Sequence, residues 1–239
     1  MQIIKLSAID STNRYLHDLA QNVSLEDYAA VMAQYQTEGR GQRGAKWNSE
    51  RDKNLIISVL KTNIKSSIQN QFYLNMRVSL AVFKTLKGFN LPKLTVKWPN
   101  DILSGHKKIS GVLMELSTQN NTIRQAIIGV GLNVNQTHFE DLPRASSMKL
   151  LLGTTFEVEA IAQALIENIR FYFEHDDDSS IKKRYEQLLF KRGKPSTFLD
   201  QNDEKFTGII TGVSDDGRLA VQTEDSVRLF DLKTIRMLY

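Results

Sequence analysis

Three polar, glycine-bearing segments interrupt the apolar pattern of this 239-residue chain, and they contain the residues best suited to chemistry. The first is QTEGRGQRGAKW at residues 36–47. Its glycines allow backbone conformations that bring N–H groups close to an anion, and its basic side chains add positive charge. The segment indicates either a loop that wraps a phosphorylated or carboxylated ligand, with Trp47 covering an apolar ring, or a flexible basic surface loop. The glycines are Gly39, Gly41 and Gly44, and the basic residues are Arg40, Arg43 and Lys46.

The second segment, KWPNDILSGHKKISGVLMEL at residues 97–116, ends one strand and begins another. A Pro-Asn-Asp turn signature ending in Asp101 follows the first strand, and a pair of lysines ending in Lys108 precedes the next. One hairpin would bring these groups together, and two cations beside an Asn-Asp pair suit an anion and metal site. Core packing is the favoured interpretation for Trp98, and an ordinary hairpin-tip lysine is the alternative for Lys108.

The third segment is IIGVGLNVNQ at residues 127–136. Gly129 and Gly131 interrupt an apolar strand, which indicates close approach of a ligand or of another backbone. Asn133 has one donor and one acceptor that match adenine. A buried amide whose hydrogen bonds are satisfied within the protein is an equally good interpretation of Asn133.

Composition limits the function classes. The chain has no cysteine, which excludes a disulfide framework, a thiolate metal site and a cysteine nucleophile. Its four histidines are far apart and lack metal-ligand spacing. The net charge is only +4, because 31 basic residues are offset by 27 acidic ones, and the basic residues are dispersed. A mixed solvated surface, suited to an acidic protein partner, therefore accounts for the charge better than nucleic-acid binding does.

The periodicity predicts an α+β fold with a change of character near residue 191. Helices with core-facing periodicity alternate with apolar strands before that point, whereas short strands and turn signals follow it. The strands are predicted at residues 1–6, 29–35, 55–60, 95–98, 109–116 and 122–134. Residues 119–121 predict a hairpin turn, Gly88 a helix end, and Ser179 and Ser180 a helix cap.

Targeting signals and membrane spans are not expected. The first 13 residues have no long apolar region and no small-residue cleavage pattern. The longest apolar runs are only a few residues, which is far less than a bilayer requires. A cytoplasmic protein is the default expectation.

Taken together and in order, the segments resemble the biotin–protein ligase family. The resemblance begins at DSTN (residues 10–13) and continues through QTEGRGQRGAKW, KWPND, KKISGV and GVGLNV. It ends at GIITGVSDDGRL, which is similar to the family's small C-terminal domain. One such motif is weak, but five in the family's order and approximate spacing are specific.

The resemblance implies two domains and two reactions. Residues 1–190 would form a catalytic domain with a mixed β-sheet and helices mainly on one face, and residues 191–239 a small SH3-like β-barrel. The biotin carboxylate would attack the α-phosphorus of ATP, with Mg²⁺ accompanying the nucleotide. A lysine of a biotin carboxyl carrier protein would then attack the resulting biotinyl-5′-AMP. The resemblance leaves a homodimer open and implies no specific DNA binding, since the chain starts at the first strand of the catalytic domain.

Residue roles follow from the resemblance in three groups. Lys108 would bind the carboxylate and the α-phosphate, Arg40 would hold the ligand as its loop closes, and Asp101 would orient or deprotonate the incoming lysine. Biotin would be bound by Ser11, Thr12, Gln36, Gly39, Arg40, Lys108, Gly111 and Leu113. The adenylate would be bound by Arg43, Trp47, Lys108 and Asn133.

Two other functions fit parts of the pattern. A ligase for another acyl acid such as lipoate would share the architecture, but its glycine and arginine motifs are different. A non-catalytic regulator that binds nucleic acid is supported only by the pI of about 9.1, and Arg40 and Lys108 argue against it.

The glycine-rich loop departs from the family pattern at Gln42, where many members have an arginine. A cation beside the adenylate phosphate favours retention of the reactive mixed anhydride, whereas glutamine offers only uncharged hydrogen bonds. We expect Arg43 to take this role. Arg43→Ala should therefore release more free biotinyl-AMP, and biotinylate bystander proteins more, than Gln42→Ala does. The opposite order in a release assay would assign retention to the glutamine.

Overall fold

The computed structural model describes residues 3–140, 142–232 and 234–239, with the Arg43 side chain outside that description. The predicted first strand is thus confirmed from Ile3 onward, and its first two residues lie outside the described part. Within the described residues, no helix is long and apolar enough to cross a membrane.

A mixed β-sheet of eight strands forms the centre of the first part of the chain. Its strands are β1 (Ile3–Leu6), β2 (Ala30–Ala33), β3 (Leu55–Lys61), β4 (Ser66–Ser67), β5 (Leu94–Lys97), β6 (Asp101–Ser104), β7 (Lys107–Gln119) and β8 (Thr122–Leu132). They pair in the order β1-β2-β3-β8-β7-β6-β5, with β4 beside β8. Among the described strands of this sheet, β1 and β2 form the one parallel pair, and the long β7–β8 hairpin lies at the middle.

Helices cover this sheet on both faces, but unequally. They are α1 (Thr12–Asn22), α2 (Gln71–Gly88), α3 (Met148–Leu152), α4 (Val158–Glu174) and α5 (Asp178–Gln187), with 3₁₀ turns at Gln42–Gly44 and Ile68–Asn70. Apolar residues of α2, α4 and α5 join the main core, because their spacing forms an apolar stripe. On the other face, Leu16 of α1 packs on Val31, Leu60 and Ile127.

Of the turn and helix ends predicted from local sequence, the turn is confirmed and the two helix ends lie at other residues. Asn120 and Asn121 have positive φ, which confirms the predicted hairpin turn. The cap predicted at Ser179 and Ser180 is wrong, because Asp177 accepts the Ser180 N–H and α5 begins earlier. The predicted end at Gly88 is also displaced: Gly88 is the last helical residue, and the left-handed conformation occurs at Asn90.

A second sheet of five antiparallel strands follows. Its strands are β9 (Pro195–Asp200), β10 (Lys205–Val213), β11 (Leu219–Gln222), β12 (Val227–Phe230) and β13 (Ile235–Leu238). The order is β12-β11-β10-β9-β13, and no ladder closes it between β12 and β13 among the described residues. Short strands after residue 191 are thus confirmed, whereas the closed barrel stays a prediction.

Polar contacts attach the second sheet to the first part of the chain. The Val213 N–H donates to Glu186 on α5 at 3.0 Å, and the Trp98 indole N–H donates to the Gly217 carbonyl at 2.9 Å. Lys182 and Tyr73 both contact Asp215, and the hydrogen bond from Lys182 lowers the pKa of that carboxyl below its ordinary value. The two sheets therefore have a defined relative position.

Gly217 should be intolerant of a side chain for two reasons. Its φ is +91°, and a Cβ there would lie 2.4 Å from Phe72 Cγ. Gly193 also has positive φ (+69°), but its Cβ would meet nothing within 4 Å. Gly193→Ala should cost about 1–2 kcal/mol of unfolding free energy from backbone strain alone. Gly217→Ala should cost about 1–3 kcal/mol more through overpacking. Urea denaturation of both variants measures the difference, and equal losses would contradict the contact with Phe72.

Candidate active site

Side chains of two helices fix the turn after β5 by hydrogen bonds. The Pro99 carbonyl accepts hydrogen bonds from Asn75 on α2 at 2.9 Å and from the Tyr185 hydroxyl on α5 at 2.7 Å. Burial raises the pKa of the Tyr185 phenol well above its ordinary value, so the hydroxyl remains a donor. Trp98 packs against the main core, as expected, while its indole N–H contacts the second sheet. The turn therefore presents Asp101 at a fixed position.

Asp101 and Lys108 face each other across the β6–β7 hairpin. The Lys108 Nζ lies 2.7 Å from Asp101 Oδ1, and the Lys97 Nζ lies 4.0 Å from Oδ2. Lys108 also forms a backbone bridge to a distant loop: its N–H donates to the Arg144 carbonyl at 2.6 Å, and its carbonyl accepts the Ser146 N–H at 3.0 Å. The lysine is thus a positioned cation and more than a free hairpin tip.

A polar corner lies where α1 begins. Ser11 caps the helix, which directs the first-turn side chains toward β3 and the glycine-rich loop. Gln36 Oε1 accepts from the Thr12 N–H at 2.7 Å and from the Thr12 hydroxyl at 3.0 Å. Ser58 on β3 donates to Asn13 Oδ1 at 2.6 Å and lies 2.8 Å from the Thr12 hydroxyl. This buried cluster can bind a small polar group by matched hydrogen bonds.

The strand glycines make room for side chains. A Cβ at Gly129 would lie 2.4 Å from Asn13 Oδ1, and one at Gly131 would lie 2.4 Å from Trp47 Cε2. Gly111 is directly opposite Gly131 in the β7–β8 register, and the indole of Trp47 lies over this pair. The sequence predicted close approach of a ligand or of another backbone at these glycines, whereas the groups that approach them are side chains.

The glycine-rich loop folds into a compact turn. The Trp47 N–H donates to the Gly39 carbonyl at 2.9 Å, and the Gly41 N–H donates to the Ala45 carbonyl at 2.7 Å. A Cβ at Gly39 would lie only 2.3 Å from the Trp47 carbonyl oxygen, which explains the glycine. The exposed Arg40 side chain pairs with Glu38 at 3.8 Å. The loop therefore places Trp47 inward and Arg40 at the rim.

Two cavities meet at Lys108. The first has a volume of about 300 Å³ and extends from the polar corner along β7. The second, of about 420 Å³, lies beside the loop that contains Arg144. The residues that line both are Lys46, Trp47, Lys97, Asp101 and Lys108. A molecule in one cavity can thus meet a molecule in the other beside a cation and a carboxylate.

Most residues singled out in the sequence line these cavities. The first is lined by Ser11, Thr12, Gln36, Arg40, Lys108, Gly111 and Leu113, and by Gln42. Asn133 lines the second and is also a satisfied amide, since it donates to the Ser146 carbonyl at 2.9 Å. Gly39 lines neither and supports the loop from its outer side. The side chain of Arg43 lies outside the described residues, so its role stays a prediction.

Sequence reasoning missed several lining or supporting residues. Asn13 belongs to the DSTN motif but was given no role, and Ser58 occupies an ordinary position in a strand that no motif marks. Arg144 and Tyr239 line the second cavity from a loop and from the end of the second sheet. Only the adjacency of Asn13 to Ser11 and Thr12 was a usable signal.

No group of three or more histidine and carboxylate side chains that could bind a metal occurs in the described part of the chain. Mg²⁺ commonly binds through one or two carboxylates plus substrate phosphates and water, so a nucleotide-borne ion needs no protein cage. Asp101 is the carboxylate at the junction of the cavities.

Comparison with known proteins gives the family. The model of the biotin/lipoate A/B protein ligase family matches residues 6–133, and the model of the biotin protein ligase C terminal domain matches residues 193–236. The chain belongs to the biotin/lipoate A/B protein ligase family. The first match spans more than half of the chain and includes all three segments except the last residues of the third.

Individual relatives agree with this assignment. The chain is 28% identical over 228 residues to the bifunctional ligase/repressor BirA of Escherichia coli K12, covering 93% of this chain and 70% of that protein. It is 26% identical over 225 residues to the biotin–[acetyl-CoA-carboxylase] ligase of Mycobacterium tuberculosis, covering 92% and 83%. It is similar in structure to biotin protein ligase from Aquifex aeolicus in complex with biotin and ATP, with TM-score 0.81, 26% identity and coverage of 99% and 98%.

The facing glycines allow a matched test of the Trp47 position. An alanine Cβ at Gly131 would overlap the indole, whereas one at Gly111 would meet Trp47 Cζ3 and the flexible end of Lys108 at 3.3–3.4 Å. Gly131→Ala should therefore displace Trp47 and loosen the loop, and trypsin should cut near Arg40 and Lys46 several-fold faster. Gly111→Ala should be cut at nearly the wild-type rate. Equal acceleration in both variants would rule out this indole contact as the anchor.

Proposed function

We propose that this chain is an ATP-dependent biotin–protein ligase that forms biotinyl-5′-AMP and then transfers biotin to a lysine of a biotin carboxyl carrier protein. The observation that carries the proposal is the junction of two cavities at Lys108 and Asp101, one cavity having a polar corner and the other a cationic wall. Membership of the biotin/lipoate ligase family and similarity to a ligase bound to biotin and ATP support it.

Lys108 answers the main electrostatic problem of the first reaction. A carboxylate oxygen of biotin must form a bond to the α-phosphorus of ATP, while the bond to pyrophosphate breaks. The two reactants are both anionic and repel each other, so a cation between them lowers the barrier. Lys108 lies at the junction, and Lys97 is the nearest second cation on the same carboxylate. Mg²⁺ carried by the phosphates would supply further charge neutralisation.

The first cavity suits biotin. Ser11, Thr12 and Gln36 offer hydrogen-bonding groups of the kind that a ureido ring requires. The hydrocarbon tail would extend along Gly111 and Leu113 toward Lys108, because these β7 residues line the same cavity. Arg40, at the rim, would move from Glu38 toward the ligand as the loop closes, with Gly39 allowing the bend.

The second cavity suits the nucleotide. Trp47 has a buried indole N–H without a hydrogen-bond partner among the described residues, so a ligand acceptor there would satisfy it. Asn133 would face the adenylate from the cavity wall. Arg43 would contact its phosphate.

In the second reaction, after the adenylate has formed, Asp101 would act on the carrier lysine. The carrier lysine arrives as an ammonium and must lose a proton before its nitrogen attacks the acyl carbon and AMP leaves. Asp101 would orient or deprotonate it, and its position in the lining of both cavities supports this role.

The architecture and setting extend the proposal. Residues 1–190 would be the catalytic domain, and residues 191–239 an SH3-like barrel domain. We expect a cytoplasmic enzyme that binds no specific DNA, with a homodimer left open.

One assay tests the activity and its acyl specificity together. The protein is incubated with ATP, Mg²⁺, biotin and a biotin carrier domain, and the carrier mass is measured. A mass increase of one biotinyl group, absent when the carrier's acceptor lysine is replaced by arginine, is the expected result. Modification with lipoate in place of biotin, on a lipoate acceptor domain, would assign the other branch of the family.

Lys108→Ala should slow adenylate formation by well over tenfold, since charge stabilisation of this kind is worth about 2.7–4 kcal/mol in the transition state. Lys107→Ala is the matched control, because Lys107 is the neighbouring lysine and lines neither cavity. Pyrophosphate release measures both rates, and circular dichroism confirms folding. A folded Lys108→Ala variant with a near-normal rate would remove this lysine from the mechanism.

A further inference from the structure

Tyr239, which follows β13, reaches back from the second sheet to the first part of the chain. Its ring centroid lies 5.0 Å from that of Phe190 and 6.1 Å from that of His106. Two cations lie over the ring: the Arg144 guanidinium carbon at 4.4 Å from the centroid and the Lys97 Nζ at 5.4 Å. The ring of Tyr239 therefore makes cation–π contacts with two basic side chains from the first part of the chain.

Arg144 has little else to hold its side chain. Its backbone carbonyl is fixed by the Lys108 N–H, but the side chain is exposed, and no carboxylate among the described residues lies within ion-pair distance. A long exposed arginine samples many rotamers, and stacking on a ring restricts them. The contact with Tyr239 is thus the main described interaction that sets its direction.

Tyr239 and Arg144 also form a partition. Both line the second cavity, and both line a further cavity of about 660 Å³ between the two sheets. Lys97 is the remaining residue shared by these two cavities. The residues that separate the two spaces are thus one aromatic ring and the two cations that contact it.

The charges of the second cavity fit a polyanion. Its lining has four cationic side chains and one acidic side chain, that of Asp101, among the described residues. The four cations are Lys46, Lys97, Lys108 and Arg144. Asp101 already pairs with Lys108, which leaves Arg144 as a cation whose described contact is an aromatic face.

We propose that Tyr239 is a positioning residue for nucleotide binding: its ring holds Arg144 directed into the second cavity and closes that cavity toward the space between the sheets. The inference rests on the proposed function, and it makes the second sheet part of the ATP site without any direct contact between Tyr239 and the reacting atoms. An arginine already ordered by stacking loses less conformational freedom when ATP binds. Removing the ring should raise the KM for ATP, while the first cavity, which Tyr239 does not line, should keep its affinity for biotin.

The test compares three single variants and one double variant by pyrophosphate release at varied ATP and at varied biotin. Tyr239→Leu keeps apolar bulk without the ring and should raise the KM for ATP about tenfold, with the KM for biotin within about twofold of wild type. Tyr239→Phe keeps the ring and should restore the wild-type KM for ATP. Arg144→Met keeps the stem without the charge and should match Tyr239→Leu. Tyr239→Leu combined with Arg144→Met should be no worse than either alone, because both remove one coupled interaction.

Three results would overturn the proposal: an unchanged KM for ATP in Tyr239→Leu, an equal rise in the KM for biotin, or additive effects in the double variant. If Tyr239→Leu fails to fold, Arg144→Met and Tyr239→Phe still decide. A wild-type KM for ATP in Arg144→Met, or a raised KM for ATP in Tyr239→Phe, would contradict the proposal. Failure of the proposed function looks different, since the wild-type protein would then release no pyrophosphate with biotin. In that case, calorimetric titration of a non-hydrolysable ATP analogue into wild type and Tyr239→Leu tests the positioning role directly.

Discussion

The ion pair between Lys108 and Asp101 is the interaction on which the arrangement of the site depends. It joins the two arms of the β6–β7 hairpin at the point where the two cavities meet. A partly exposed pair of this kind adds little to folding stability, so its value lies in geometry. The hairpin itself is supported by the Pro99 carbonyl contacts below and by the loop at residues 144–146 beside it.

Each supporting contact comes from a different region of the chain. Asn75 and Tyr185 belong to helices of the main core, Ser146 to the loop after β8, and Gly217 to the turn between β10 and β11. The packing of the helices therefore fixes the position of the turn at Pro99, and the loop at residues 144–146 fixes the backbone of Lys108. A change in core packing far from Lys108 can thus reach the site through the turn.

Much of the candidate site could be predicted from the sequence, because its polar and charged residues occur where the apolar pattern of the strands is interrupted. Glycine, proline and paired polar residues break the apolar pattern at residues 36–47, 97–101 and 129–133, and such breaks mark loops and close approaches. The helix cap at Asp177 was missed because aspartate and serine compete for the same position. The contacts of Asn13, Ser58 and Tyr239 were missed because they join elements that are distant in sequence, and a local motif such as DSTN does not specify them.

The five residues common to both cavities have a thermodynamic consequence. Any ligand that moves Trp47 or redirects Lys97 also changes the free energy with which a second ligand binds in the neighbouring cavity. Linkage then requires reciprocity: the factor by which an occupant of one cavity alters affinity in the other is the factor by which the second occupant alters the first. Wherever an occupant shifts this shared wall, the same coupling factor therefore applies in both directions between the two cavities.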